Sequence, residues 1–325
     1  SASPPRAMPS DCTQSSTARS DMAVEVTLED AEWMVGRAGL SEVASVQRLP
    51  GGWDNSNLKL DLVDGTSLVL KIWQAQKSLK DVRTVIQRHI WLDGHGVPTA
   101  TPIVLEDGSR MAVRDGVAWT LMPHVAGGHL GSDRASLESL GVTMARLHEV
   151  PEAECFPRDF RMGWPLFELM YELADEAGEW TEFLVALRDE EGGLREQIPD
   201  NLPLGILHGD LFPDNVIGDG EVAAILDLEE AWVGPCAFDL VMAFVGFGWD
   251  AGKPVGERWD ALVSGYESVR NLTDPERAAL AVLHRYATLS IAAWRYWKHN
   301  MAEPGTELSV RYLEMVDRLG VEFGF

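Results

Sequence analysis

The period of the apolar residues changes once along this chain, near Pro123, and that change restricts the folds open to it. Ahead of it, one helical pattern (Leu28, Ala31, Met34, Val35, Ala38, with Thr27 as N-cap) leads into a region of short alternating runs. Val43–Leu49 and Leu58–Leu62 read as strands on either side of the turn Pro50-Gly51-Gly52-Trp53-Asp54-Asn55. Asp64-Gly65 is a hairpin signal, with Ser67–Trp73 as the returning strand. A helix is expected over Ser78–Asp93, ended by Gly94. Further strands are expected over Ile103–Leu105, Met111–Val113 and Val117–Met122. Beyond Pro123 the spacing is helical in Leu137–His148, Trp164–Glu176, Trp180–Leu187, Phe238–Gly246, Arg258–Val269 and Pro275–His299. One β-like patch, Ile206 to Leu228, interrupts them. The expected class is α+β, with a small β-rich N-terminal lobe over residues 23–122 and a larger helical C-terminal lobe over 123–325. Residues 1–22, rich in Ser, Pro and Thr without periodicity, read as a disordered leader.

The formal net charge of −24 argues against nucleic acid and anionic membranes as partners, because such a surface repels phosphate. The most apolar stretch, Ala237–Trp249, is too short to span a bilayer and holds Asp239. Cys12, Cys155 and Cys236 form no C-x-x-C pair, which suits a reducing, cytoplasmic compartment. A targeting remnant in residues 1–22 would instead imply an organelle such as a plastid.

The segment His208-Gly209-Asp210-Leu211-Phe212-Pro213-Asp214-Asn215, followed by the apolar run Ala224-Ile225-Leu226 ending in Asp227, carries the chemistry. Phosphoryl transfer from ATP needs a carboxylate to align a hydroxyl and take its proton, together with oxygen ligands for Mg2+. Asp210 has the spacing of the first, and Asn215 and Asp227 that of the second. Lys71, set among apolar neighbours in Val69-Leu70-Lys71-Ile72-Trp73, fits a phosphate-binding lysine on a strand. The preceding turn would cover the phosphates with backbone N–H groups, which makes Asn55, Ser56 and Asn57 candidate nucleotide contacts. A helix with Asp239 begins soon after Asp227, and no A-P-E follows. An extended peptide has nowhere to dock, so the acceptor is expected to be a small molecule bearing a hydroxyl. Asp239 is read as structural, capping its helix or bracing the catalytic loop. His148 is read as a helix-terminal histidine bonded to backbone. In Trp294–His299, a packed helix end, Arg295 is a candidate partner for a substrate carboxylate, and Glu229 is a further candidate substrate contact.

These stretches resemble the aminoglycoside phosphotransferase and choline kinase superfamily, with its two-lobed protein-kinase-like fold. Within it they are most similar to the bacterial homoserine kinases of that fold. The subgroup likeness rests on Gly52–Asn57, Trp164–Glu168, His208–Val216 and Ser264–Arg270, within a resemblance running from about Val24 to Asn300. It implies Asp210 as base, Asn215 and Asp227 as Mg2+ ligands and Lys71 as phosphate lysine. It also implies Leu121, Met122 and His124 as the segment that receives adenine. Three features depart from the pattern. No Glu occurs from Ile72 to Leu92 to pair with Lys71, leaving Asp81, Gln87 or no partner. Gly209 stands where the subgroup has Ala, and Asp227-Leu228-Glu229-Glu230 is unusually acidic. Homoserine is the expected acceptor. An aminoglycoside, choline, hydroxylysine or methylthioribose remains an alternative, as does a pseudokinase that binds nucleotide without catalysis.

Overall fold

The computed structural model describes residues 26–49 and 55–325; the expected leader and the turn residues Pro50–Asp54 lie outside them. Helix α1 (Leu28–Arg37) starts at a capping box in which the Thr27 side chain and Asp30 bond each other's backbone N–H. A five-stranded antiparallel sheet follows, in the order β1-β2-β3-β5-β4: β1 (Val43–Arg48), β2 (Ser56–Leu62), β3 (Ser67–Ile72), β4 (Ala112–Arg114) and β5 (Val117–Pro123). The Asp64-Gly65 turn joins β2 to β3. It is closed by Leu62 N–H to Thr66 O at 2.8 Å, with Gly65 at φ +88° where a side chain would be strained. Alternation puts Leu58, Leu60, Leu68, Leu70 and Ile72 on the face packed against α1, around Ala31, Met34 and Val35. Helix α2 (Leu79–Gly94), N-capped by Ser78, covers the sheet through Val82, Val85 and Ile86, which meet Trp73, Met111 and Ala118. Ile103–Leu105 forms no strand. Ile103 N–H bonds Leu121 O at 2.8 Å, and the expected turn at Glu106-Asp107-Gly108 is present.

After β5 come β6 (Gly128–His129), α3 (Arg134–His148), α4 (Trp164–Ala177) and α5 (Glu182–Gln197), and then β7 (Leu204–Leu207). The single β-like patch resolves into β7, β8 (Val216–Gly218) and β9 (Val222–Ile225). Two strands not read from the sequence complete small sheets: β6 pairs with β8, and β10 (Trp232–Pro235) pairs with β7. Then follow α6 (Cys236–Phe247), the short pair β11 (Trp249–Asp250) and β12 (Lys253–Pro254), α7 (Gly256–Glu267), α8 (Asp274–Tyr296) and α9 (Leu313–Leu319). Helix α6 is buried all round, so it reads as an apolar run rather than as a stripe. Helices α3 and α7 meet backbone to backbone: a Cβ on Gly141 would lie 2.6 Å from Tyr266 N, and one on Gly265 would strike the Glu138 carbonyl. The large apolar core on this side is continuous from Leu137 and Phe167 through α6 to Ala292, and it takes in Leu92 at the end of α2.

Candidate active site

One cavity of about 460 Å³ lies between the five-stranded sheet and the helical part, and Asn55, Asn57, Lys71, Asp210, Asn215 and Asp227 all line it. Each residue arrives by a local device. In β3, Leu70 and Ile72 face the sheet core, so Lys71 must face the cavity, where its Nζ stands 4.2 Å above the Trp73 ring. Asn57 pairs with Lys71 across β2–β3 and shares its face. Ser56, one residue earlier, falls with Leu58 on the opposite face and does not line the cavity, as period-two alternation requires. Leu121 is also off the cavity. Its side chain is fully buried in the sheet core and its carbonyl accepts from Ile103, whereas Met122 and His124 do line the cavity, with Pro123 and Val125.

The loop after β7 is held from beneath. The fully buried Asp239 carboxylate accepts the backbone N–H of His208 at 2.6 Å and of Gly209 at 2.8 Å, which is the bracing role read from the sequence. His208 Nε2 donates to Leu226 O at 2.7 Å, tying the loop to the run that ends at Asp227, while its Nδ1 accepts from Asp210 N–H at 3.2 Å. Gly209 has φ +80°, and a Cβ there would sit 2.8 Å from Glu230 O. The glycine in place of alanine is therefore what this backbone requires. His148 ends α3 but bonds side chains, Tyr266 Oη at 2.8 Å and Asp239 at 3.4 Å, instead of backbone.

Asn215 sits in the 3-10 turn Pro213–Asn215. Its Nδ2 donates to Asp210 O at 2.8 Å and to Asp210 Oδ2 at 2.9 Å, so its carbonyl oxygen is the acceptor that remains for a cation. Loss of solvation, then the charges of Asp214 and Asp227, push the Asp210 carboxyl up to about 7, against the pull of Asn215 and Arg295. Asp227 adopts a left-handed backbone, φ 58° and ψ 70°, a strained conformation that structures retain where it serves a site. No cluster of three His, Cys, Asp or Glu ligands occurs among the described residues. Mg2+ needs no such cage, since it binds through one or two carboxylates plus substrate phosphates, and the hard oxygens of Asn215 and Asp227 fit that demand.

The partner of Lys71 is on neither Asp81 nor Gln87. Asp81 bonds the N-cap Ser78, and Gln87 is exposed. Instead Lys71 Nζ lies 2.9 Å from Glu229 Oε1 and 3.3 Å from Asp227 Oδ1. Glu229, read from the sequence as a substrate contact, thus has both oxygens engaged: Oε1 also accepts from Asn55 Nδ2 at 2.7 Å, and Oε2 pairs with Lys77. Burial opposes the Lys71 ammonium, but Asp227 and Glu229 outweigh it and raise its pKa. Burial likewise opposes the Glu229 carboxylate, and Lys71 and Lys77 reverse that effect. The acidic run after Asp227 was the signal for this pairing. On α2 the cavity-lining residue is His89, whose pKa burial and then Lys71 depress to about 3. Its neighbour Arg88 donates to the carbonyls of Cys155, Leu228 and Glu229 at 2.8–2.9 Å, fastening α2 to the loop beyond Asp227. Arg295 also lines the cavity, together with Arg311, which sequence reasoning missed.

A two-lobed fold of the protein-kinase type, with a lysine, two Asp residues and an Asn converging on its cleft, defines a phosphotransferase. The chain belongs to the APH phosphotransferase enzyme family, which matches residues 45–281. It is a small-molecule kinase by that membership and by its relatives. It is 30% identical over 257 residues to a homoserine kinase of Gluconacetobacter diazotrophicus, covering 75% of this chain and 78% of the relative. It is 27% identical over 295 residues to that of Caulobacter sp. strain K31, covering 88% and 90%. The fold is shared with a microcompartment-associated aminopropanol kinase (TM-score 0.68, 16% identity, 90% and 95% covered). It is also shared with an amicoumacin kinase in complex with AMP-PNP, Ca2+ and Ami (TM-score 0.67, 15% identity, 84% and 87% covered). No helix among the described residues is long and apolar enough to cross a membrane.

Proposed function

We propose that this protein is a homoserine kinase, transferring the γ-phosphate of ATP to the side-chain hydroxyl of homoserine. The observation that carries the reading is the convergence of Lys71, Asp210, Asn215 and Asp227 on one cavity. The curated homoserine kinases to which the chain is similar support the choice of acceptor.

In this reading residues up to Met122 form the nucleotide lobe and those from Pro123 the acceptor lobe. Met122 and His124 line the adenine end, with Asn55 and Asn57 near the phosphates. Asp210 aligns the hydroxyl and accepts its proton, and Lys71 neutralises charge on the phosphates. Asn215 and Asp227 would hold Mg2+, which supplies charge neutralisation at the phosphates when bound. Glu229 takes the place of the helix Glu as carboxylate partner of Lys71, which removes the reason for a pseudokinase reading.

A coupled assay of ADP release with L-homoserine tests this, alongside kanamycin, choline, hydroxylysine and methylthioribose. Turnover with homoserine well above the others is expected; none above background over a wide concentration range refutes the acceptor.

A further inference from the structure

Lys71 is claimed by more groups than one ammonium can serve. It lies against both Asp227 and Glu229, and in the kinase reading it also neutralises the phosphates. The two carboxylates differ in access. The Asp227 side chain is 42% exposed and open to an incoming cation, whereas that of Glu229 is 11% exposed. Glu229 has a second cation, Lys77, which pairs with Oε2 while Lys71 holds Oε1. Lys77 comes from the connection between β3 and α2 and does not line the cavity.

Neighbouring contacts fix Lys77 in that place. The Trp73 ring, held by its indole N–H to Thr120 Oγ1 at 3.2 Å, has the Lys71 ammonium 4.2 Å and the Lys77 ammonium 5.6 Å from its centroid. Asn55 Oδ1 accepts the backbone N–H of Gln74 at 3.2 Å, and its Nδ2 donates to Glu229 Oε1 at 2.7 Å. The Lys77 N–H closes a turn onto the Gln74 carbonyl at 3.1 Å. From the helical part, Arg88 grips the Leu228 and Glu229 carbonyls. Two carboxylates and two ammonium groups leave this cluster neutral. Without Lys77, Lys71 alone would face Asp227 and Glu229, and a net negative charge would stand where the polyphosphate of ATP must enter. Under low solvation such an excess weighs far more than it would in water.

We infer that Lys77 is a positioning residue for nucleotide binding: by neutralising Glu229 from outside the cavity, it leaves the Lys71 ammonium free to serve the phosphates. This rests on the kinase reading above but not on the identity of the acceptor. The test is Lys77→Met, which keeps an unbranched stem and removes the charge. Its readouts are calorimetric binding of AMP-PNP with Mg2+, thermal melting, and KM for ATP and for the acceptor in coupled ADP release. The acceptor is L-homoserine or whichever compound of the panel above is turned over. The Kd for AMP-PNP and the KM for ATP are expected to rise about tenfold, and the acceptor KM to stay within about twofold. Tm is expected to change little, because partly exposed ion pairs contribute little to stability. Lys77→Arg, which keeps the charge, is expected to hold AMP-PNP affinity within about threefold of wild type. In a Glu229→Gln background, Lys77→Met is expected to weaken AMP-PNP binding by no more than about threefold, since no carboxylate charge is left to neutralise.

AMP-PNP affinity within about twofold of wild type in Lys77→Met would overturn the inference and leave the kinase reading standing. So would the full tenfold loss in the Glu229→Gln background, which would put Lys77 on the nucleotide itself. An equal loss in the Met and Arg variants, accompanied by a lower Tm, would make Lys77 a structural residue only and overturn it as well. Wild-type protein that binds no AMP-PNP would end both readings. Should Lys77→Met not fold, Lys77→Gln, which keeps a donor toward Glu229 without the charge, decides by the same limits.

Discussion

Replacing Asp239 by Asn tests whether the catalytic loop is positioned from below. The carboxylate is fully buried and accepts two backbone N–H bonds, from His208 at 2.6 Å and Gly209 at 2.8 Å, with the His148 ring at 3.4 Å. A carboxamide of the same shape keeps one acceptor oxygen and turns an NH2 toward the other N–H. The loss is one charge-assisted bond, about 1.5–3 kcal/mol, plus a stranded buried donor, about 1–3 kcal/mol. If the loop holds its place, stability therefore falls by about 2.5–6 kcal/mol, a drop of roughly 4–9 °C in Tm at about 1.5 °C per kcal/mol for 325 residues. If the loop relaxes instead, the change appears at Asp210, two residues beyond His208, where a displacement of an ångström costs about 100-fold in kcat. Thermal unfolding and coupled ADP release on one preparation read both outcomes, and KM for ATP is expected to hold because Lys71 stands on the opposite wall. A folded variant with wild-type Tm and wild-type kcat would refute the reasoning.

Asp210→Asn is expected to lower kcat by about 10²–10⁴-fold, the usual range for loss of a general base, while binding of AMP-PNP by calorimetry persists. Gly265→Ala is expected to destabilise by about 1–3 kcal/mol in thermal melts because its Cβ strikes the Glu138 carbonyl, reversing the gain of about 0.8–1.0 kcal/mol that Ala normally brings to a helix interior. His89, held neutral with a folded pKa of about 3, takes up a proton in the unfolded chain from about pH 6.5 downward. Stability is therefore lost as pH falls below about 6.5, at up to about 1.4 kcal/mol per pH unit, and His89→Gln should flatten the dependence of Tm on pH between 6.5 and 4.5. An unchanged slope would place the acid sensitivity elsewhere.

Several parts of the molecule were legible in the chain because their cause is local. Thr27 and Asp30 form a capping box within one turn of helix, and Asp64-Gly65 closes a hairpin between strands that pair residue by residue from Leu58 to Leu70. Asp210 and Asn215 share one loop, so their spacing alone sets them near each other. The helix expected over Trp180–Leu187 was read too short. Helix α5 runs through Gly192-Gly193 to Gln197, where Glu191 pairs with Arg195 one turn on at 2.6 Å and is anchored by Tyr171 of α4 at 2.9 Å, a contact that exists only once the two helices pack.

What the tertiary structure alone decided is which distant groups share a charge. The chain announced a lysine without its expected glutamate and an acidic run of unclear purpose; only folding showed that Glu229 and Lys71 solve each other's burial across two lobes. Arg311 next to Arg295, Ser56 and Leu121 turned from the cavity, and β10 laid against β7 are of the same kind. Propensity and capping act over a few residues and can be read along the polymer. Desolvation and Coulomb energy depend on distance in space, which exists only once the apolar faces have packed.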